Sequence, residues 1–153
     1  MRMLPWSRWG RNDDGSAAVE FVTVGVILLV PLAYLVLTLG AVQENLLGAE
    51  AAARHTARVI GQAEDAASAS ARADAVLASV VDQYGMDAGA VEVTVSCTPT
   101  AVECPSPGAT VIVTVDTRVS LPFVPAVFGL ERATSIPLQA SAAQKVSRLW
   151  GAG

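Results

Sequence analysis

Basic side chains are scarce in this chain. Lysine occurs once, at Lys145, histidine once, at His55, and the formal net charge is −4. With no long basic run, the electrostatic footprint of a nucleic-acid binder is missing, and no nucleic-acid partner is expected. There are only two cysteines, Cys97 and Cys104, separated by Thr98 to Glu103. No third or fourth ligand stands at zinc-site spacing, so no metal is expected. No Ser or Cys sits in a nucleophile-elbow sequence, no Gly-rich phosphate loop follows a strand, and no carboxylate pair stands out. Asp13-Asp14 and Glu64-Asp65 read as solvated charges, and His55, on an Ala-rich stretch, as a surface residue rather than a base. These absences argue against an enzyme and against any cofactor.

Charge is also missing from one continuous stretch. From Phe21 to Val42 the only polar side chains are Thr23, Tyr34 and Thr38. As a helix rising ~1.5 Å per residue, the stretch reaches about 33 Å, enough to cross a hydrocarbon core of ~30 Å. A soluble core helix rarely stays apolar on every face for that long. The stretch reads as a membrane helix, and Pro31, lacking a backbone donor, is expected to bend it. Hydrophobic residues make up 52% of the chain and mean hydropathy is +0.47, which excludes a disordered chain.

A carboxylate stands at the mouth of this run. Glu20 immediately precedes Phe21, and Gly15-Ser16-Ala17-Ala18-Val19 leads into it. Read alone, Glu20 is an interfacial residue whose carboxylate snorkels into the headgroups. Its surroundings resemble a type IV prepilin cleavage site: a hydrophilic leader ending in Gly, then a mature segment with Glu at its fifth position. Gly-Ser-Ala-Ala-Val-Glu-Phe looks most like the TadE-like pseudopilins of tight-adherence (Flp-type) pilus systems. That resemblance implies cleavage between Gly15 and Ser16 by a prepilin peptidase. Ser16 would then supply a new α-amino group, protonated at neutral pH, to pair with Glu20 of a neighbouring subunit or of its own helix. It further implies other pilin or pseudopilin subunits as partners through the N-terminal helix, together with an inner-membrane assembly platform and membrane lipid.

Charge placement orients the chain. Arg2, Arg8 and Arg11 precede the helix with Asp13 and Asp14, whereas the nearest basic residues after it are Arg54 and Arg58. The N-terminus is therefore expected in the cytoplasm and the bulk outside, with Trp6 and Trp9 at the inner interface. A cleaved secretory signal would have an apolar core of roughly 7–15 residues ending in a small-x-small site. The core here is longer and Leu39-Gly40-Ala41 fits poorly, so a retained single-pass helix in a bacterial cytoplasmic membrane is the expectation. Scarce lysine beside plentiful Ala, Val, Gly and Arg agrees with a GC-rich bacterial genome.

The remainder reads as helix and then strands. Gln43 to about Tyr84 has no proline and is crowded with Ala. Its larger apolar residues are Leu46, Leu47, Val59, Ile60, Val76, Leu77, Val80, Val81 and Tyr84, with Ala63, Ala66, Ala67 and Ala73 extending the stripe. Gly61, Ser68 and Ser70 suggest a break into two helices, and Gly85 a C-terminal stop. Val91, Val93 and Val95 alternate with polar residues as a half-buried strand. Val111, Val113, Val115, Val119, Leu121 and Phe123 share one parity. A third run, Thr134 to Ala142, places Ile136, Leu138, Ala140 and Ala142 on one face, and Pro137 makes it an edge or bulged strand. Leu121-Pro122-Phe123-Val124-Pro125 reads as a rigid apolar turn. Val119-Ser120-Leu121-Pro122-Phe123, followed by the late Leu138-Gln139-Ala140-Ser141-Ala142 strand, also resembles the C-terminal part of TadE-like proteins. For Cys97 and Cys104, a disulfide across a hairpin tip fits the exported side, and two free thiols in a loop are the alternative.

The expected architecture is α+β. An N-terminal transmembrane helix continues into an amphipathic Ala-rich helix packed on a small antiparallel sheet of about three strands. The segments are a leader (1–15), the membrane helix (16–42), an extracytoplasmic helical segment (43–85) and a small β domain with the hairpin disulfide (86–153). The expected function is that of a TadE-like pseudopilin, a minor structural or assembly component of a Flp-type pilus or related filament. The alternative is an unprocessed membrane-anchored binding domain. Asp13-Asp14, standing where leaders of the family carry basic residues, favours that alternative.

Overall fold

The computed structural model describes residues 16–100, 104–122 and 134–150. Gly15 and the leader, Ala101 to Glu103, Phe123 to Ala133 and the last three residues lie outside the described residues. So do the expected roles of Trp6, Trp9 and Asp13-Asp14, and most of the apolar turn after Leu121.

The elements are α1 (Ser16–Gly61), α2 (Ala66–Gln83), a 3-10 turn (Ala88–Ala90), β1 (Glu92–Thr98), β2 (Thr110–Val119) and β3 (Ile136–Lys145). The three strands form one antiparallel sheet in the order β1-β2-β3. The fold is therefore α+β. The chain divides into two compact units, one ending at Leu37 and the other beginning at Thr38.

In the first unit α1 is bare. It runs unbroken through Pro31, and the large side chains from Val19 to Leu37 are exposed on every face, Phe21 at 82% and Leu28 at 66%. By length and composition the helix can cross a membrane.

The second unit is built on β2. Val111, Val113 and Val115 are fully buried, and Thr117 and Val119 follow on the same face. Cys97 of β1 and Ala140 of β3 extend this face beside Val111 and Val115, and the inner sides of α1 and α2 lie against it. The side of α1 that packs is made of small residues: Ala49, Ala52, Ala53, Thr56 and Ala57, with Ile60. The larger Leu46 and Leu47 point outward instead, Leu47 at 58% exposure. Small side chains let neighbouring backbones approach closely. A Cβ on Gly48 would meet Met86 Sδ at 2.7 Å and Tyr84 Cβ at 2.9 Å, and one on Gly61 would meet Gln144 Cγ at 2.7 Å. The end of α1 is tied to the chain after β3 by Ser147 N–H, which donates to Gly61 O at 3.3 Å.

Gly48→Ala tests that closeness. Alanine is the better helix former by about 1 kcal/mol, but overpacking a fixed core costs roughly 1–3 kcal/mol. Because Tyr84 Cβ is anchored at the end of α2, repulsion should win. The melting temperature of the detergent-solubilised chain should fall; a rise would show that the contact relaxes freely.

The break between helices follows Gly61, as expected, whereas Ser68 and Ser70 lie inside α2. Asp65 caps α2: its Oδ1 accepts Ser68 N–H at 2.7 Å, while Asp65 N–H donates to Ser68 Oγ at 3.3 Å. At the other end Gly85, at φ +59°, follows Tyr84. Met86 N–H donates to Val81 O at 2.9 Å and Gly85 N–H to Asp82 O at 3.2 Å, the paired bonds of a Schellman stop. Between these caps Ala69, Ala73, Val76, Leu77, Val80, Val81 and Tyr84 form the inward stripe. Ala66 and Ala67, expected on it, are exposed, because the cap rotates the first turn so that Ala69 points in.

The hydrogen bonds from Ser68 hold the Asp65 carboxyl below its ordinary pKa. A depressed folded-state pKa adds stability that is complete above the unfolded value and is lost as pH falls through the folded one. Asn caps about as well as Asp but does not titrate. Asp65→Asn should therefore melt close to the original chain at pH 6 and lose less stability between pH 5 and pH 2. Parallel losses for the two proteins would remove Asp65 from the acid response.

Candidate functional site

Each expected site residue has a simple local origin. Ser16 and Glu20 both lie on α1, four positions and about one turn apart. Glu20 is exposed, and Thr23 beside it turns its hydroxyl inward on the helix, donating to Val19 O at 2.7 Å. The bare apolar surface begins immediately after Glu20. Each Leu, Ile, Phe or Val favours membrane insertion by about 0.3–0.6 kcal/mol, so a run this rich outweighs one carboxylate at its edge. The arrangement offers one anionic group at the mouth of a long apolar rod, one turn from the residue that would carry a new amine. Gly15, the other half of the expected processing site, lies outside the described residues.

Cys97 and Cys104 are joined by a disulfide, with Cα atoms 5.5 Å apart. Cys97 is buried opposite Val111, near the end of β1, whereas Cys104 is exposed in the connection to β2. The bridge clips that connection to the core, and a disulfide suggests an extracytoplasmic domain.

Among the described residues no group of three or more His, Cys, Asp or Glu is placed to hold a metal ion. His55 is exposed on α1. Several open concavities border the sheet. One, of about 510 Å³, is lined by Asp87, Glu92, Arg118, Ser120 and Ser135. Another, of about 390 Å³, is an apolar groove where Thr56 and Ile60 of α1, Ala69, Ala73 and Leu77 of α2, and Val93 and Val95 of β1 converge, with Cys104 and Pro105 at its side. It explains the one departure in β1. Val95 has the inward parity expected of it, yet it borders this groove and remains 42% exposed. Thr56 Oγ1, buried at the groove's edge, has no hydrogen-bond partner among the described residues. Sequence reasoning missed this groove, because it arises where three elements fail to close rather than from any motif.

An apolar N-terminal helix whose second half packs on a three-stranded antiparallel sheet, with a disulfide in the sheet region, is a pilin-like architecture. Compared with known proteins, the chain matches no family model, no curated protein and no solved structure, so that description stands on its own residues and geometry.

Proposed function

We propose that the chain is a TadE-like pseudopilin: a prepilin-peptidase substrate that becomes a minor structural or assembly component of a Flp-type pilus or related filament. The observation that carries this reading is the head of α1. Glu20 stands one turn along α1 from Ser16, and the rod beyond it is bare and apolar. Such a rod has two uses, lying in lipid or packing against identical rods, and a pilin uses both in turn. Before assembly the helix anchors the chain in the bacterial cytoplasmic membrane, with the leader inside and the disulfide-bearing unit outside. Cleavage after Gly15 then frees the Ser16 amine, which pairs with Glu20 of a neighbouring subunit at the assembly platform.

The test is the N-terminus of the membrane-extracted protein. Mass spectrometry should find a chain beginning at Ser16. Gly15→Ile should leave the full-length form, because a peptidase subsite fitted to glycine excludes a branched side chain. A wild-type chain that keeps Met1, or a Gly15→Ile chain shortened like wild type, would overturn the assignment. The first of those results would favour the unprocessed anchor instead, the reading that Asp13-Asp14 ahead of Gly15 supports.

A further inference from the structure

The seam between β1 and α2 stays open along its length. The groove beside Val95 adjoins a smaller concavity of about 180 Å³ beside Val91, and Asp74 and Leu77 line both. From Val91 to Val95 the seam follows about 13 Å of extended backbone. β1 pairs with β2 on one side, and among the described residues no strand lies on its other side. The two edges of the sheet are built differently. β3 carries Pro137, which lacks a donor, and the exposed Lys145, both of which deter an added strand. From Val93 to Thr98 β1 has neither proline nor charge, and such an edge turns alternate N–H and C=O groups outward. The lining of the seam is apolar or hydroxyl-bearing except for one charge, the exposed Asp74. Thr56 adds a buried hydroxyl with no hydrogen-bond partner among the described residues.

We propose that this seam takes an extended segment of a partner protein, added as a strand along the free edge of β1. The edge offers backbone donors and acceptors, which another backbone matches and an acyl chain or small apolar ligand does not. Side chains alternate along a strand, so the residues of the segment level with Val93 and Val95 share their inward face and fill the groove between β1 and α2. Those two positions, i and i+2, are therefore apolar. A Lys or Arg on the same face lays its stem along the apolar wall and brings its charge to Asp74. The match to Asp74 disfavours edge-to-edge pairing with β1 of a second copy, because β1 contains no Lys or Arg. The seam lies wholly in the unit beginning at Thr38, so the contact forms whether or not the chain is cleaved after Gly15.

The test uses the full-length chain in lipid nanodiscs and a synthetic peptide, Thr-Val-Thr-Val-Thr-Arg-Thr, capped at both ends. Hydrogen exchange resolved by residue reads the edge directly. Without peptide, alternate amides of β1 should exchange fast. At ten times its dissociation constant the peptide should slow them about tenfold and leave β3 unchanged. Two further peptides carry N-methyl groups on one or the other alternate set of residues. Only one edge of the peptide faces β1, so one of them should lose binding and the other keep it. Binding kept by both, or protection that falls on β3, would overturn strand addition. Edge amides already slow without peptide would show the edge held by the chain itself or by a second copy, and would overturn the partner. Asp74 is exposed, so its replacement leaves the core intact. Asp74→Arg should weaken binding about fivefold, and the peptide with Glu in place of Arg should restore it. A reversed pair that binds no better than the mismatched one would overturn the charge match.

Discussion

Cys97→Ser should destabilise the sheet-bearing unit by about 4 kcal/mol, through two separable effects. Opening the short loop between Cys97 and Cys104 releases roughly 2.5 kcal/mol of chain entropy in the unfolded state. The serine hydroxyl then occupies a site only 6% exposed, opposite Val111, where an unsatisfied polar group costs about 1–3 kcal/mol more. Cys104→Ser breaks the same bridge from its exposed end and leaves an apolar thiol in the core, so it should lose only the first part. For a unit of this size, each kcal/mol moves the melting temperature by about 4–8 °C at most. Cys97→Ser should therefore melt more than 10 °C below the oxidised chain, and Cys104→Ser measurably above Cys97→Ser. Thermal melts by circular dichroism without reductant would measure both. A Cys97→Ser chain that melts with the original would mean that the bridge contributes nothing. Identical melting of the two variants would remove the buried-hydroxyl argument.

The fold was legible wherever large side chains carry the pattern. In β2 the alternation of Val111, Val113 and Val115 with Thr110, Ile112 and Thr114 reads directly, and those valines are fully buried. Pro137 lies in β3, which is an edge strand, as a missing donor requires. In α2 the stripe from Val76 to Tyr84 faces the core as its spacing implies. The pattern failed where packing selects small residues. On α1 Leu46 and Leu47 drew attention by size, while the buried face is Ala49, Ala52, Ala53 and Ala57. Alanine is common on both faces of a helix, so it carries little signal of burial. What fixes the face is the close approach of Tyr84 and Met86 to Gly48, a contact between distant parts of the chain. Likewise, Ser68 read as a helix breaker but serves as half of a reciprocal cap with Asp65. The exposed apolar stretch of α1 was legible because its residues are contiguous in sequence. The apolar groove beside Val95 was not legible, because it depends on how three separate elements meet.

Glu20→Gln should separate maturation from assembly. A peptidase acting at the Gly15–Ser16 junction reads the residues next to the bond, and Glu20 lies a full helical turn beyond it. Glutamine keeps the size and some hydrogen bonding of glutamate but deletes the charge. The variant should therefore still begin at Ser16. In a lone chain Glu20 is exposed, so the loss there should be small. In the proposed bundle of apolar helices the same position would leave water, and the substitution would strip the neighbour's ammonium of its counter-ion. Breaking a buried ion pair from one side typically costs about 3–5 kcal/mol, and less at an interface. Even 2 kcal/mol per contact is roughly thirtyfold in each association constant, and a cooperative array multiplies it. Processed Glu20→Gln should accumulate in the membrane and fail to co-purify with other pilin subunits or enter surface filaments. Glu20→Asp, which keeps the charge on a shorter stem, should assemble partially. Normal assembly of processed Glu20→Gln would reduce Glu20 to an interfacial residue with no part in subunit pairing. A block in processing would instead place its role in recognition by the peptidase.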